Sequence, residues 1–412
     1  MEPSRGVPPT TGAEPRGTVV RPWMGLARAQ RALLLVALPA SLFACHGDRA
    51  PSDPVSRISA PDDASDIDEA ELPGAIAIAP TLLDVTTYEG SGQLVHPDAT
   101  FFPRSWQGHR YWLSATPYPG GDPRFENPSI FYGSTSKEML VPTGVSNPLA
   151  LPETQAYLSD PDLVFDPEAG ELRMYYRQTL PYLDQLFVAT SRNGQQWTKG
   201  RRVISDSRYA LISPAIVREG PGAWRMWTVN AVPAGCQSTI AQISLQQRRS
   251  TDGVTWAEPE PVQLSIAGRV PWHWDVQYVA AKSEYWAMIA AYPQGTSCSQ
   301  SSVYFARSLD GTTWNVSPVP LLAAGAFQPL RDLVYRSTFH YHDGSDVVSV
   351  WFSGARLEGN LFRYAIASAR YPMEELLRRV SGASAATLER GQSERPSAEL
   401  ESARAKFIEE FP

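Results

Sequence analysis

Ser250-Thr-Asp-Gly-Val-Thr-Trp256 recurs as Ser308-Leu-Asp-Gly-Thr-Thr-Trp314 and, more loosely, as Ser191-Arg-Asn-Gly-Gln-Gln-Trp197. Each of these segments closes a short run of β-forming residues, and two further runs end on Ser134 and Ser368 without the tryptophan. The five serines lie 57, 59, 58 and 60 residues apart. A period of that length, built from several short strands, points to a radial or stacked β-array rather than to one sandwich. Five repeats predict an all-β chain with five propeller blades.

A second register gives the same count. Each repeat opens on a strand-like run: His96-Pro-Asp98, Asp160-Pro-Asp162, Ile212-Ser-Pro214, His273-Trp-Asp275 and Tyr335-Arg-Ser337. Between the opening and closing runs lies a third, rich in aromatic and β-branched residues that suit a pleated, half-buried surface, such as Leu172-Arg-Met-Tyr-Tyr176 or Trp224-Arg-Met-Trp227. Turn-forming clusters such as Pro167-Glu-Ala-Gly170 and Asp343-Gly-Ser-Asp346 separate first from second strand. Four strands per blade are expected, the outermost being the run after each tryptophan, such as Arg202-Val-Ile204.

With 412 residues, 43% of them hydrophobic, the chain can bury a large core. Its net charge of −7 argues against a nucleic-acid partner, which calls for a basic face. The propeller is expected over residues 76–372. If translation effectively starts at Met24, Arg28 and Arg31 precede an apolar run from Ala32 to Ala44 that is too short to span a bilayer, so residues 1–45 read as a signal peptide. Leu42-Phe-Ala-Cys45 resembles a bacterial lipobox, which implies lipidation of Cys45 and a membrane anchor, although Phe43 is bulkier than that motif usually carries. The absence of an aspartate after Cys45 then implies an outer-membrane lipoprotein of the cell envelope. Residues 46–75 are acidic and poor in aromatics, the composition of a flexible linker. Residues 373–412 read as a helical or disordered tail, and a monomer is expected.

Cys236 and Cys298 fall in the links between second and third strands of consecutive blades. In an exported chain such a pair forms a disulfide; the alternative is two buried thiols.

In a propeller the start of each innermost strand and the links between second and third strands share one face, so these segments ring one central funnel. The opening runs supply His96, Asp98, Asp160, Asp162, His273, Asp275 and Arg336; the links add Glu126, Asn127 and Arg177. Trp272, Trp274, Tyr118 and Tyr182 offer aromatic faces on which sugar rings could stack. Zinc-ligand spacing, a phosphate loop and a Gly-x-Ser-x-Gly elbow are missing, so no metal ligands and no cofactor are assigned. His340 and His342 alternate with apolar residues and could help hold a structural cation in the central channel.

This arrangement resembles the five-bladed furanosidase-type glycoside hydrolases, the arabinanase, levansucrase and invertase superfamily that includes families 43 and 32. The resemblance rests on the five repeats, the aspartates of the first two opening runs and the Ser-x-Asp-Gly-x-x-Trp blade ends. It implies Asp98 as base or nucleophile and Asp162 as the carboxylate that orients substrate or tunes acidity. The glutamate that such enzymes carry on the third blade as general acid has no counterpart in Leu211-Ile-Ser-Pro-Ala-Ile-Val217. Glu126, Asp275 and Asp160 are the remaining acids, since glycoside hydrolysis needs two carboxyl groups flanking the scissile bond. His96, Asp160, Asn127, Arg177, His273, Trp274 and Arg336 are expected to contact a carbohydrate. The resemblance therefore implies a glycosidase acting on furanoside or related linkages. The alternative is a glycan-binding propeller that has lost its acid.

Overall fold

The computed structural model describes residues 78–381 and 397–410; the signal peptide, Cys45 and the acidic linker lie outside the described residues. Five antiparallel sheets account for the strands. The first in the chain, β1 (Ile78–Leu82), does not join the blade that follows it. That blade consists of β2 (Leu94–Trp106), β3 (His109–Pro117) and β4 (Ser129–Gly133). The second holds β5 (Tyr157–Asp166), β6 (Glu171–Thr179), β7 (Leu183–Ser191) and β8 (Arg201–Ser207). In the third, β9 (Ile212–Gly220), β10 (Ala223–Asn230) and β11 (Ser244–Ser250) are followed by the two-residue β12 (Glu260–Pro261). The fourth repeats this with β13 (Arg269–Val279), β14 (Glu284–Pro293), β15 (Ser302–Ser308) and β16 (Asn315–Val316). The fifth has β17 (Leu333–His342), β18 (Val347–Glu358) and β19 (Leu361–Pro372), and β1 pairs with β19 as its outermost strand. The expectation of four consecutive strands per blade is thus corrected at both ends of the array. Pairing the first strand with the last blade closes the ring non-covalently and covers an edge that would otherwise stand open. The innermost strands β2, β5, β9, β13 and β17 contact one another in cyclic order around a central axis.

The repeated serine, aspartate and glycine are turn chemistry. Ser250 Oγ accepts from the amides of Asp252 and Gly253, and Asp252 Oδ1 accepts from Val254 and Thr255 at 2.7 Å each. Gly253 has φ of +71°, and its carbonyl accepts from the Tyr175 hydroxyl of the preceding blade at 2.8 Å. Gly311 does the same with Trp227 Nε1, also at 2.8 Å. A β-carbon at Gly253 would stand 2.7 Å from the Tyr175 hydroxyl. Glycine is therefore required both by its left-handed backbone and by the blade pressed against it. Trp314 is buried in the core between blades, whereas Trp197 and Trp256 are partly buried against it.

Two helices follow. α1 (Met373–Val380) buries Met373, Leu376 and Val380 against the last blade, and α2 (Ala398–Glu410) lies near the end of the chain. No described helix is long and apolar enough to cross a membrane.

Candidate functional site

A proline within an innermost strand costs a ladder hydrogen bond, so it is tolerated where the ladder is already broken. Pro97, Pro161 and Pro214 sit at such breaks: the register of β2, β5 and β9 slips beside them, and β13 and β17 slip from one residue earlier. The residues before these prolines, His96, Asp160 and Ser213, have φ of 52°, 50° and 50°. Left-handed backbone at non-glycine residues is costly and marks positions over-determined by their surroundings, often functional ones. The shared bulge divides the axial side chains into two layers.

Below the bulge lie Asp98, Asp162 and Asp275, with Ala215 and Thr338 at the equivalent places in the third and fifth blades. Each reaches the amide one residue further along the next innermost strand. Asp98 accepts from Leu163 N at 2.7 Å, Asp162 from Ile216 N at 3.2 Å, Asp275 from Phe339 N at 3.3 Å, and Thr338 Oγ1 from Ala99 N at 3.4 Å. Ala215 offers no acceptor, so the fivefold pattern is broken once. The three carboxylates come within 4.8 Å of one another. Burial raises the pKa of all three above the ordinary carboxylate value, Asp98 to about 7, with Asp275 adding to the rise at Asp98 and Asp98 and Asp275 adding to that at Asp162. They face a hollow shared with Phe101, Tyr278 and His340, next to a groove that includes His342.

Above the bulge the chemistry changes. His96 Nε2 lies 3.6 Å and His273 Nδ1 3.5 Å from Oδ1 of Asp160, and ligand atoms of these three residues fall within 4.8 Å of one another. Arg177 Nε contacts the other Asp160 oxygen at 3.0 Å, and Arg336 Nη1 contacts Oδ1 at 3.4 Å. Burial by itself would raise Asp160, but Arg177, His96, His273 and Arg336 together hold it far below the ordinary range, so it is ionised. Burial pushes His273 well down, which keeps its imidazole neutral. His96 Nε2 and both ring nitrogens of His273 are buried without a hydrogen-bond partner.

Two nitrogens and a carboxylate oxygen converging from three blades form a donor set that suits zinc or a similar late divalent metal, with a fourth position left for ligand. Glu126 Oε1 lies 3.1 Å from His96 Nδ1, the outer-shell carboxylate such a histidine usually has. The expected link segments therefore do meet the opening runs on one face. Arg177 and the Cys236–Cys298 disulfide are there too, the bond being formed as expected. Beside the imidazoles, a narrow pocket is lined by Tyr157, Arg177, Tyr209, Trp272 and Tyr335.

Two expected contacts need correction. Trp274 is 1% exposed and packs against Trp314, because strand alternation sends it to the sheet face opposite His273 and Asp275. It cannot stack on a sugar. Tyr118 is likewise enclosed against Tyr364, while Tyr182 is exposed. The amide nitrogen of Asn127 is engaged locally, donating to Tyr88 Oη at 2.9 Å and to the Arg124 carbonyl at 3.3 Å, whereas its Oδ1 is buried without a hydrogen-bond partner. Spacing could not announce the His96, Asp160 and His273 cluster, since its members come from blades far apart in sequence. Tyr209 and Tyr335 went unnoticed for a similar reason: an aromatic residue in a blade repeat looks like any other core residue.

No protein-family profile matches the chain. It is 28% identical over 316 residues to the A type blood N-acetyl-alpha-D-galactosamine deacetylase of Flavonifractor plautii, a match spanning 65% of this chain but 41% of that protein. Among solved structures, an N-acetylgalactosamine deacetylase from F. plautii in complex with blood group B trisaccharide superposes with a TM-score of 0.68 at 25% identity, over 74% of this chain and 97% of that one. A thermostable family-43 glycoside hydrolase gives 0.50 at 11% identity, over 67% and 88% of the two chains, a likeness of fold.

Proposed function

We propose that this chain is a carbohydrate-active amide hydrolase that removes an acyl group from an N-acylated amino sugar, with His96, Asp160 and His273 holding a divalent cation. The carrying observation is the convergence of these three side chains, with unpartnered ring nitrogens, beside a narrow pocket. The likeness to a deacetylase, which is greater than the likeness to the family-43 hydrolase, supports the same chemistry. The pocket beside these side chains is narrow, so on this reading only a small group of the ligand enters it and the sugar ring stays outside.

A cation bound there would polarise the carbonyl and lower the pKa of water. The chain's own residues do the rest. Asp160 stays ionised between two guanidinium groups and keeps its oxygen towards the ligand position. His96 Nδ1 meets Thr116 Oγ1 at 3.2 Å and stands 3.1 Å from Glu126 Oε1, and these two neighbours hold the ring with Nε2 towards the pocket. Tyr335 is held by a hydrogen bond from Trp272 Nε1 at 3.2 Å and packs edge-on to His273, which limits rotation of that ring. Reaction of the amide with water gives acetate and the free amine.

The test is to incubate the full chain with zinc or manganese and with glycans ending in N-acetyl-α-D-galactosamine or N-acetylglucosamine, and to assay acetate. Release that chelation abolishes and added cation restores is the expected result. A second reading, furanoside hydrolysis at Asp98, Asp162 and Asp275, draws on the closeness of those carboxylates. It requires reducing-sugar release from arabinan or levan and no acetate. Against it stands the use of all three carboxylates to accept backbone amides.

A further inference from the structure

Tyr209 lies in the crossover from the outermost strand of the second blade to the innermost strand of the third, where a connection needs no aromatic residue. It is nevertheless 6% exposed and has φ of 70°, an unfavourable backbone for a residue of its size. Several contacts enforce that conformation. Its carbonyl accepts from Ala231 N at 2.8 Å, and the Arg208 guanidinium lies over its ring at 4.7 Å. Gly235 presses on the ring as well: a β-carbon at that position would stand 2.9 Å from Cζ of Tyr209. Gly235 precedes Cys236, so the disulfide to Cys298 anchors the clamp to the neighbouring blade.

The result of this ordering is a phenol that finishes in the pocket with His96, Arg177 and His273, and whose buried oxygen has no partner of hydrogen-bond geometry. Leaving a buried hydroxyl unpaired costs about 1–3 kcal/mol. Such a group in a strained, clamped residue is best explained by a ligand that completes it. Burial raises its pKa above the ordinary phenol value, outweighing the nearby Arg208 guanidinium, so it remains a donor at neutral pH.

We propose that Tyr209 is a further catalytic residue, whose hydroxyl donates a hydrogen bond to the acyl oxygen of the ligand. This rests on the amide-hydrolase reading and adds to it the group that meets the oxygen. As water adds to the carbonyl carbon, negative charge grows on that oxygen and the donated bond strengthens; when the C–N bond breaks, the amine leaves with a proton from the water. Tyr209 keeps its own proton throughout. A donor aimed at developing charge is worth about 10²–10³ in turnover.

The test compares wild type with Tyr209→Phe in the full, zinc-loaded chain. Calorimetry measures affinity for acetate, and acetate release from p-nitrophenyl N-acetyl-α-D-galactosaminide gives kcat and KM. The expected result is a loss of about a hundredfold in kcat with a smaller change in KM, and about tenfold weaker acetate binding, at unchanged melting temperature and zinc affinity. Acetate binding by Tyr209→Phe equal to wild type, or absent from both, overturns the proposal. A wild type that binds acetate in a Tyr209-dependent way yet hydrolyses none of the glycans overturns the amide-hydrolase reading and leaves Tyr209 as a ligand-binding group.

Discussion

Nδ1 of His96 stands 3.1 Å from Oε1 of Glu126, and this contact turns the opposite edge of the imidazole towards Asp160. Glu126 is fully buried and comes from the long link of the first blade, whereas His96 comes from the bulge of the innermost strand. The carboxylate thus couples loop to strand at the place where ring orientation matters. Glu126→Gln keeps the shape and weakens the acceptor. Zinc affinity, measured by competition with a chromogenic chelator, is expected to fall about 10–100-fold while the circular dichroism spectrum is unchanged. An unaltered affinity removes Glu126 from the site.

Asp98 belongs to a different function of the axis, the joining of blades. Asp98→Ala deletes the acceptor for Leu163 N and leaves a buried amide unpaired, at an expected cost of about 1–3 kcal/mol in urea unfolding. Acetate release by the folded protein should stay within about threefold of wild type. A loss of several orders of magnitude would return Asp98 to the catalytic machinery.

The same carboxylate makes stability depend on pH in an unusual direction. Burial, then the charge of Asp275, lifts Asp98 to about 7, against about 4 for an unfolded aspartate. Between those values the folded chain keeps a proton that the unfolded chain has released, so stability falls as pH rises from about 4 to about 7 and levels off above. Unfolding free energies measured at several points across that window should decline, and Asp98→Asn should flatten the decline. An equal slope in the variant assigns the effect elsewhere.

Blade contact through the repeated turn is testable at Gly253. Gly253→Ala places a methyl group 2.7 Å from the Tyr175 hydroxyl at a backbone with φ of 71°. The expected destabilisation is about 1–3 kcal/mol, read as a lower melting temperature. A neutral substitution would mean that the second and third blades are not pressed together at this turn.

We also propose that the chain is anchored to the cell envelope through Cys45, from the apolar run and the lipobox-like Leu42-Phe-Ala-Cys45. Cys45→Ser should move the protein from the membrane fraction to the soluble fraction of a bacterial host. Equal fractionation of the two forms rejects the anchor.

The blade turns were legible because their chemistry is local. Ser250, Asp252 and Gly253 satisfy one another within four residues, so the same letters must recur wherever the same turn does. The disulfide was legible because two cysteines occupied equivalent links of adjacent blades. The first strand's partner was not, since β1 joins β19 from the other end of the chain. Nor was the difference between Asp160 and Asp162, two residues apart on one strand: a bulge puts the first among imidazoles and guanidiniums and the second among carboxylates.

Period, composition and turn residues by themselves determined a five-bladed propeller whose opening runs meet at an axis. Tertiary structure alone decided which acidic side chains serve the blades and which can hold a ligand. The reason is physical: a backbone turn is satisfied by near neighbours, whereas a site at the axis is assembled from residues that ring closure brings together. His96, Asp160 and His273 meet only once β2, β5 and β13 have taken their places around it.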